Sequence, residues 1–299
     1  MIGRVTHQTI QRTSLANLQL NLGKMSDLQG RMSGGKVITK PSDDPGGTAS
    51  ALQLRADKRA AEQYARNIDN GTGWLSTIDT ALDNATTSLR RARDLTVQGA
   101  NTGSLNPTSR EALAVELEGI RDAMLSQANT TYLGRSVFAG TSNTGLAFTG
   151  ATGTPPFEHS GTPGATVERR VATDTTVRVD GDGVAAFGEG ATSVFALLDG
   201  IAADLRAGVD VNPRLTEIDA RMKSMLSERA AVGTRYNALE TASKTTAKAI
   251  VDLKGQVSAI EDIDLAEVIV ELQSQEVQYQ AALGATSRVL QPSLLDFLR

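Results

Sequence analysis

The sequence predicts a mainly α-helical protein with a β insertion: a long coiled-coil or bundle rod built from the N- and C-terminal halves, plus a small β-rich outer domain. Three observations predict it. Apolar heptads occupy both ends of the chain, where Leu15, Leu18, Leu22 and Met25 step 3-4-3 and Leu265, Val268, Leu272, Tyr279 and Ala282 keep the same phase. Helical spacing of the same kind fills most of what lies between. Only residues 141–190 break it, where Gly recurs beside Pro155, Pro156 and Pro163.

The first element is an amphipathic helix from about Ile10 to Met32, stopped by Ser33, Gly34 and Gly35. Pro41-Ser42-Asp43-Asp44-Pro45-Gly46-Gly47 then forms an irregular turn whose Asp side chains accept backbone N–H groups. Thr48 or the Gly pair opens the next helix. Its core positions Ala61, Tyr64, Ile68, Gly71, Leu75, Ile78, Leu82, Ala85, Leu89 and Ala92 alternate by four and three after a first step of three. Gly71 and Gly73 beside Trp74 mark a bend or a close helix approach.

Residues 101–107 interrupt the pattern, and Thr108 with Glu111 makes a capping box for a helix carrying Leu113, Leu117, Ile120 and Met124. Short connections favour an antiparallel hairpin of these two helices. In the insertion, Val177 and Val179 alternate with polar neighbours, and Asp180-Gly181 signals a hairpin turn. Helix resumes near Ser193 with Val194, Leu197, Leu198, Ile201 and Leu205. It restarts at Asn212-Pro213, with Asn as cap.

That last start opens a seam of Leu215, Ile218, Met222, Met225, Val232, Tyr236 and Leu239, skipping Arg229 and continuing in register through Ile250, Leu253, Val257 and Ile260. At ~1.5 Å per residue such a helix reaches roughly 70 Å. Asp262-Ile263-Asp264 caps the final helix, which runs to about Gln291 before Pro292 and an apolar tail. The expected domains are residues 1–40 with 262–299 as terminal coiled-coil helices, 41–140 with 191–261 as a helical rod, and 141–190 as the β-rich insertion.

Composition narrows the function. Aromatic residues make up 4% of the chain, which predicts narrow aliphatic helix seams rather than one large core around a cofactor pocket. A net charge of -4 and a pI near 5.4 oppose a nucleic-acid footprint. The absence of cysteine excludes disulfides and thiolate sites. The start lacks the apolar stretch and cleavage site of a secretory signal, and no run of ~18 apolar residues predicts membrane insertion.

Residues 30–36 have the spacing of a phosphate-binding loop as far as Lys36, but Val37 stands where Ser or Thr would hold magnesium, so a helix stop is the better reading. Asp180-Gly181-Asp182-Gly183 lacks the distal carboxylate of a calcium loop, with Ala191 in its place. His7 and His159 are isolated, so each is expected to be solvated rather than a metal ligand. No catalytic, cofactor or metal site is expected, and the chain is not expected to be an enzyme. The expected functional residues form an assembly interface: Leu15, Leu18, Leu22, Met25 and Leu28 on the first helix, and Leu265, Val268, Leu272, Tyr279, Leu283 and Leu290 on the last. Amides such as Gln11, Asn17, Asn21, Gln273 and Gln275 surround these stripes and suit helices that meet other subunits.

Several segments resemble the flagellin superfamily and, within it, the flagellar hook-associated protein 3 (hook–filament junction) family. Leu28-Gln-Gly-Arg-Met-Ser-Gly-Gly-Lys-Val37 and Lys40-Pro-Ser-Asp-Asp-Pro-Gly-Gly47 are similar to the family's N-terminal signature. Leu89-Arg-Arg-Ala-Arg-Asp-Leu-Thr-Val-Gln-Gly-Ala-Asn101 is similar to a stretch shared with flagellin itself. The prolines around Asp43-Asp44, the Gly134-Arg-Ser-Val-Phe-Ala-Gly-Thr141 segment and the tail after Pro292 favour the junction family over a short flagellin, which is the alternative. The resemblance implies a structural subunit in a homo-oligomeric ring of a tubular axial structure, with its paired terminal helices innermost. It also implies the first hook-associated protein, flagellin and an export chaperone on the C-terminal helix as partners. An extracellular place in the flagellum, reached from the cytoplasm by type III export without a cleaved signal, follows from the same resemblance.

Overall fold

A computed structural model describes residues 2–101, 106–153 and 155–290, and it is mainly helical. Helices α1 (Ile2–Gly34), α2 (Pro45–Ala100) and α3 (Pro107–Ala128) lead into a small antiparallel hairpin, β1 (Thr131–Tyr132) with β2 (Arg135–Ser136). A second antiparallel hairpin follows, β3 (Glu168–Ala172) with β4 (Thr175–Arg178), then a short helix α4 (Gly183–Phe187). Helices α5 (Val194–Ala207), α6 (Asn212–Glu261) and α7 (Leu265–Leu290) complete the order. The chain divides into two compact units, residues 1–59 with 250–299 and residues 60–249, and the division falls inside α2 and α6.

The unit of residues 60–249 is organised by α2. Ala61, Ile68, Leu75, Ile78, Leu82, Ala85, Leu89 and Ala92 are all buried, as the heptad spacing predicts. The helix passes Gly71 and Gly73 without a break. A Cβ at Gly71 would lie 2.9 Å from Val179 Cγ1, and one at Gly73 would overlap the Tyr132 phenol, so these glycines serve close approach rather than a bend. Trp74 meets Tyr132 edge-on at 5.9 Å.

Ion pairs record how the helices run. Arg229 reaches Asp79 at 2.8 Å and Arg93 reaches Asp219 at 2.7 Å, so rising numbers on α2 meet falling numbers on α6 and the two are antiparallel. Arg91 pairs with Glu116 across α2 and α3 at 2.7 Å. Arg206 of α5 holds Glu111 at 2.9 Å and Glu118 at 2.5 Å on α3. Exposed pairs of this kind fix register more than they stabilise.

The caps depart from expectation in two places. Asn106, with Pro107 in the first turn, caps α3 by accepting from Ser109 N at 2.7 Å, so no Thr108–Glu111 box forms and Glu111 turns to Arg206 instead. Asn212 is the first residue of α6 rather than its cap, and Asp210 accepts its N–H at 3.0 Å. Ser193, where helix was expected to resume, caps α5, and Asp264 caps α7 as predicted.

The few aromatic residues are concentrated rather than absent from the core. Phe138, Phe148, Phe157, Phe187 and Phe195, five of the six phenylalanines, form one cluster with ring centroids 5.2–5.9 Å apart. The expectation of purely aliphatic seams therefore fails here, because short segments with little helix bury area most readily with large rings. His159 joins this cluster: its Nε2 bonds Phe138 O at 2.8 Å, and its ring lies 5.1 Å from Phe148. It is a structural contact, not a solvated side chain. The side chain of His7 lies outside the described residues.

Asp180-Gly181 is not a hairpin turn; the β3–β4 reversal occurs at Thr173-Asp174. Asp180 is instead buried and accepts from Val167 N at 2.8 Å and from the Arg178 guanidinium at 3.1 Å, while Asp182 caps α4. From α6, Glu228 accepts Asp182 N at 3.2 Å, and Arg235 donates to Asp180 O at 2.9 Å and pairs with Glu228. These two polar residues occupy the inward face at the level where the apolar seam skips Arg229. Tyr236, assigned to the seam by spacing, is 41% exposed.

Candidate assembly interface

The unit of residues 1–59 and 250–299 begins with a backbone clamp. Gly35 ends α1 in the left-handed region at φ +66, the conformation that favours glycine at a helix stop, and its N–H closes on Arg31 O. Val37 N then donates to Glu261 O at 2.7 Å, and Ile263 N donates to Gly35 O at 3.2 Å. The segment leaving α1 thus sits beside the segment entering α7, which sends α7 back along α1, and the two helices pack together.

Side chains reinforce the clamp. The buried Glu261 carboxylate takes Arg55 at 2.5 Å and Lys36 at 3.4 Å, and Lys36 also reaches Asp262 at 2.5 Å. Asp43 accepts from Thr39 N, Thr39 Oγ1 and Lys40 N, and Asp44 accepts from Gly47 N at the start of α2. The Asp pair is therefore a turn former, as the flanking prolines suggest. The Thr39 hydroxyl and the two amides hold Asp43 below the usual carboxylate range.

The Lys36 hydrogen bond, followed by that of Ser258, lowers the pKa of Asp262, while Asp262 raises that of Lys36. A depressed carboxylate contributes stability above its ordinary value and loses it as pH falls through the folded value. A raised amine contributes below its ordinary value and loses it as pH rises through the folded one. Amide protection of Val37 and Ile263 is thus expected to be flat between about pH 5 and 9 and to fall progressively as pH drops below the ordinary aspartate value of about 3.9. Hydrogen-exchange protection unchanged to pH 2 would remove this pair from the clamp.

The predicted interface residues divide between two faces. Leu18 and Met25 are half-buried and Leu28 is buried, in a set with Ser14 and Asn21 that recurs by four and three. On α7 the matching set is Val268, Leu272, Gln275, Tyr279, Ala282 and Thr286. These form the seam of the α1–α7 pair. Leu15, Leu22, Leu265 and Leu283 are 44–56% exposed. At ~100° per residue they lie roughly 60–100° round the helix from the seam centre, so the pair cannot cover them. Leu290 ends α7, and its side chain lies outside the described residues.

Sequence reasoning missed three features. Ile269, Val270 and Val277 are exposed apolar residues on α7, two of them seven apart, which was a legible signal. Gln275 is buried in the seam with no partner for its Nε2, and Glu261 is the buried centre of the clamp. Among the described residues no group of three or more His, Asp or Glu could hold a metal ion, and no helix is long and apolar enough to cross a membrane.

Known proteins resemble this chain in sequence and fold. Residues 5–143 match the bacterial flagellin N-terminal helical region, and residues 215–298 match the bacterial flagellin C-terminal helical region. The flagellar hook-associated protein 3 of Salmonella typhimurium is 28% identical, over 95% of this chain and 94% of its own length. The flagellin of Bacillus subtilis is 25% identical over 99% of this chain and 100% of its own length. A solved structure described as a putative flagellar hook-associated protein from Vibrio parahaemolyticus superposes with a TM-score of 0.67 at 25% identity, covering 74% of this chain and all of that one. With both terminal helical regions matched in order over most of its length, the chain belongs to the flagellin superfamily, and a hook-associated protein 3 is among the relatives that align with it nearly end to end.

Proposed function

We propose that this flagellar structural protein is the adaptor between hook and filament, joining a ring of its own copies to the first hook-associated protein on one side and to flagellin on the other. The observation that carries the assembly reading is the α1–α7 pair, which buries one seam and leaves Leu15, Leu22, Leu265, Ile269 and Leu283 on a second, exposed apolar face. Exposed apolar surface of this extent marks a partner surface, and neighbouring copies supply the cover. Leu18, Met25, Leu28, Val268, Leu272 and Tyr279 hold the pair, and the second face joins subunits. Alignment with a hook-associated relative over nearly its whole length favours the junction over other positions in the axis.

The chain is exported without a cleaved signal and is held beforehand by a cytosolic chaperone on α7. In the isolated chain the α1–α7 pair opens readily, because a two-helix seam buries little area. Amides of residues 12–30 and 265–287 are expected to exchange on the order of 100-fold faster than those of the α2 seam. Equal protection in the free monomer would refute this. Deletion of the gene, followed by electron microscopy and assay of shed flagellin, tests the adaptor reading. Hooks without filaments, with flagellin in the medium, are expected. End-to-end alignment with a flagellin favours a second reading, a filament subunit; lost filaments without shed flagellin would establish it.

A further inference from the structure

Leu133 combines two unusual properties. It is 78% exposed, the most exposed large apolar side chain among the described residues, and its φ is +50, a region L side chains rarely adopt. It shares the two-residue β1–β2 loop with Gly134 at φ +77, a turn in which Asn-Gly is the relaxed choice. A leucine here gains nothing from burial and pays for its backbone conformation, so its presence points to a contact outside the chain.

A complementary feature lies at the same level of the same unit. Leu75 and Val232 form the floor of an open groove of about 380 Å³, with Tyr236 and Gly233 at its sides. Apart from its chain neighbours and its own helix backbone, no atom of the described residues lies within 4 Å of a Cβ built on Gly233, and Tyr236 is 41% exposed. The hairpin packs on α2 at Gly73 and Trp74, immediately before the groove residues Leu75 to Asp79. Charge is complementary as well. Arg135, the partner of Tyr132 beside the tip, is half-buried with its Nε unpartnered and makes no ion pair among the described residues, whereas Asp79 at the groove and Asp83 one turn further along α2 share the cation of Arg229.

We infer that Leu133 of one copy seats in the Leu75–Val232–Tyr236 groove of a second copy, with Arg135 facing the Asp79 and Asp83 pair. The contact is heterologous, and its two halves lie at one level of the helices, so repetition generates a ring rather than a closed dimer. The inference rests on the reading of the chain as a self-assembling subunit.

The chain has no cysteine, which makes cross-linking clean. Leu133→Cys and Gly233→Cys are introduced together and separately into a strain lacking the native gene, and purified flagella are mildly oxidised. The double variant is expected to give a ladder of covalent multimers, the two single variants co-expressed should give dimers, and either single variant alone should give none. Assembled flagella without a ladder overturn the contact and leave the adaptor reading standing. Wild-type chain absent from the flagella overturns both. Should the double variant fail to assemble, Leu133→Asn decides: relief of strain is expected to raise Tm by about 2 °C while incorporation falls about tenfold. A lowered Tm, or unchanged incorporation, overturns the proposal.

Discussion

Leu272→Asp is expected to remove the chain from assembled flagella while leaving the thermal unfolding of residues 60–249 unchanged. Leu272 lies half-buried in the α1–α7 seam, and α7 belongs to a unit that does not include the aromatic cluster or the α2 seam. Replacing a seam leucine by a carboxylate loses its apolar burial and desolvates a charge, together about 2–4 kcal/mol. A two-helix pair has little to spare. Circular dichroism should register lost helix from the terminal segments, and calorimetry should show the main transition in place. Leu283→Asp is the informative companion, since Leu283 is 44% exposed: helix content should survive and assembly should still fail. A Leu272→Asp protein whose main transition drops would put α7 in the same cooperative unit as residues 60–249.

Phe195→Ala is expected to destabilise the unit of residues 60–249 by about 3–5 kcal/mol, lowering its Tm by roughly 10 °C. Phe195 is fully buried and touches three rings, Phe148 at 5.5 Å, Phe157 at 5.6 Å and Phe187 at 5.8 Å. Truncation removes the central ring and leaves a cavity that β-turn segments pinned by Asp180, Asp182 and Arg235 cannot collapse to fill. Differential scanning calorimetry measures it. A loss below 1 kcal/mol would mean that the insertion relaxes freely around the helices.

The helical seams were legible because a helix repeats its environment every three or four residues. Every predicted α2 position from Ile68 to Ala92 is buried, and α6 is a single 50-residue helix as its unbroken register implied. Turn chemistry was legible where one residue had one role, as with Gly35, Asp43 and Asp264. It misled where two local solutions competed. Asn106 displaced Thr108 as a cap, and Asp180-Gly181 had the form of a turn while its carboxylate was needed to hold Val167 and Arg178.

The interface shows the same boundary. That both chain ends carry apolar stripes meant for other helices could be read from residue spacing, since hydrophobic periodicity is a one-dimensional signal. Assigning Leu18, Met25 and Leu272 to the inner seam, and Leu15, Leu22 and Leu283 to the open face, required α7 to be set against α1. That setting depends on Gly35, Lys36, Glu261 and Asp262, residues more than two hundred positions apart whose pairing no local pattern records. The sequence alone determined which segments are helical and that their stripes seek partners. Only the tertiary structure decided which face each stripe gives to its own chain, because that choice is made by contacts between residues distant in sequence.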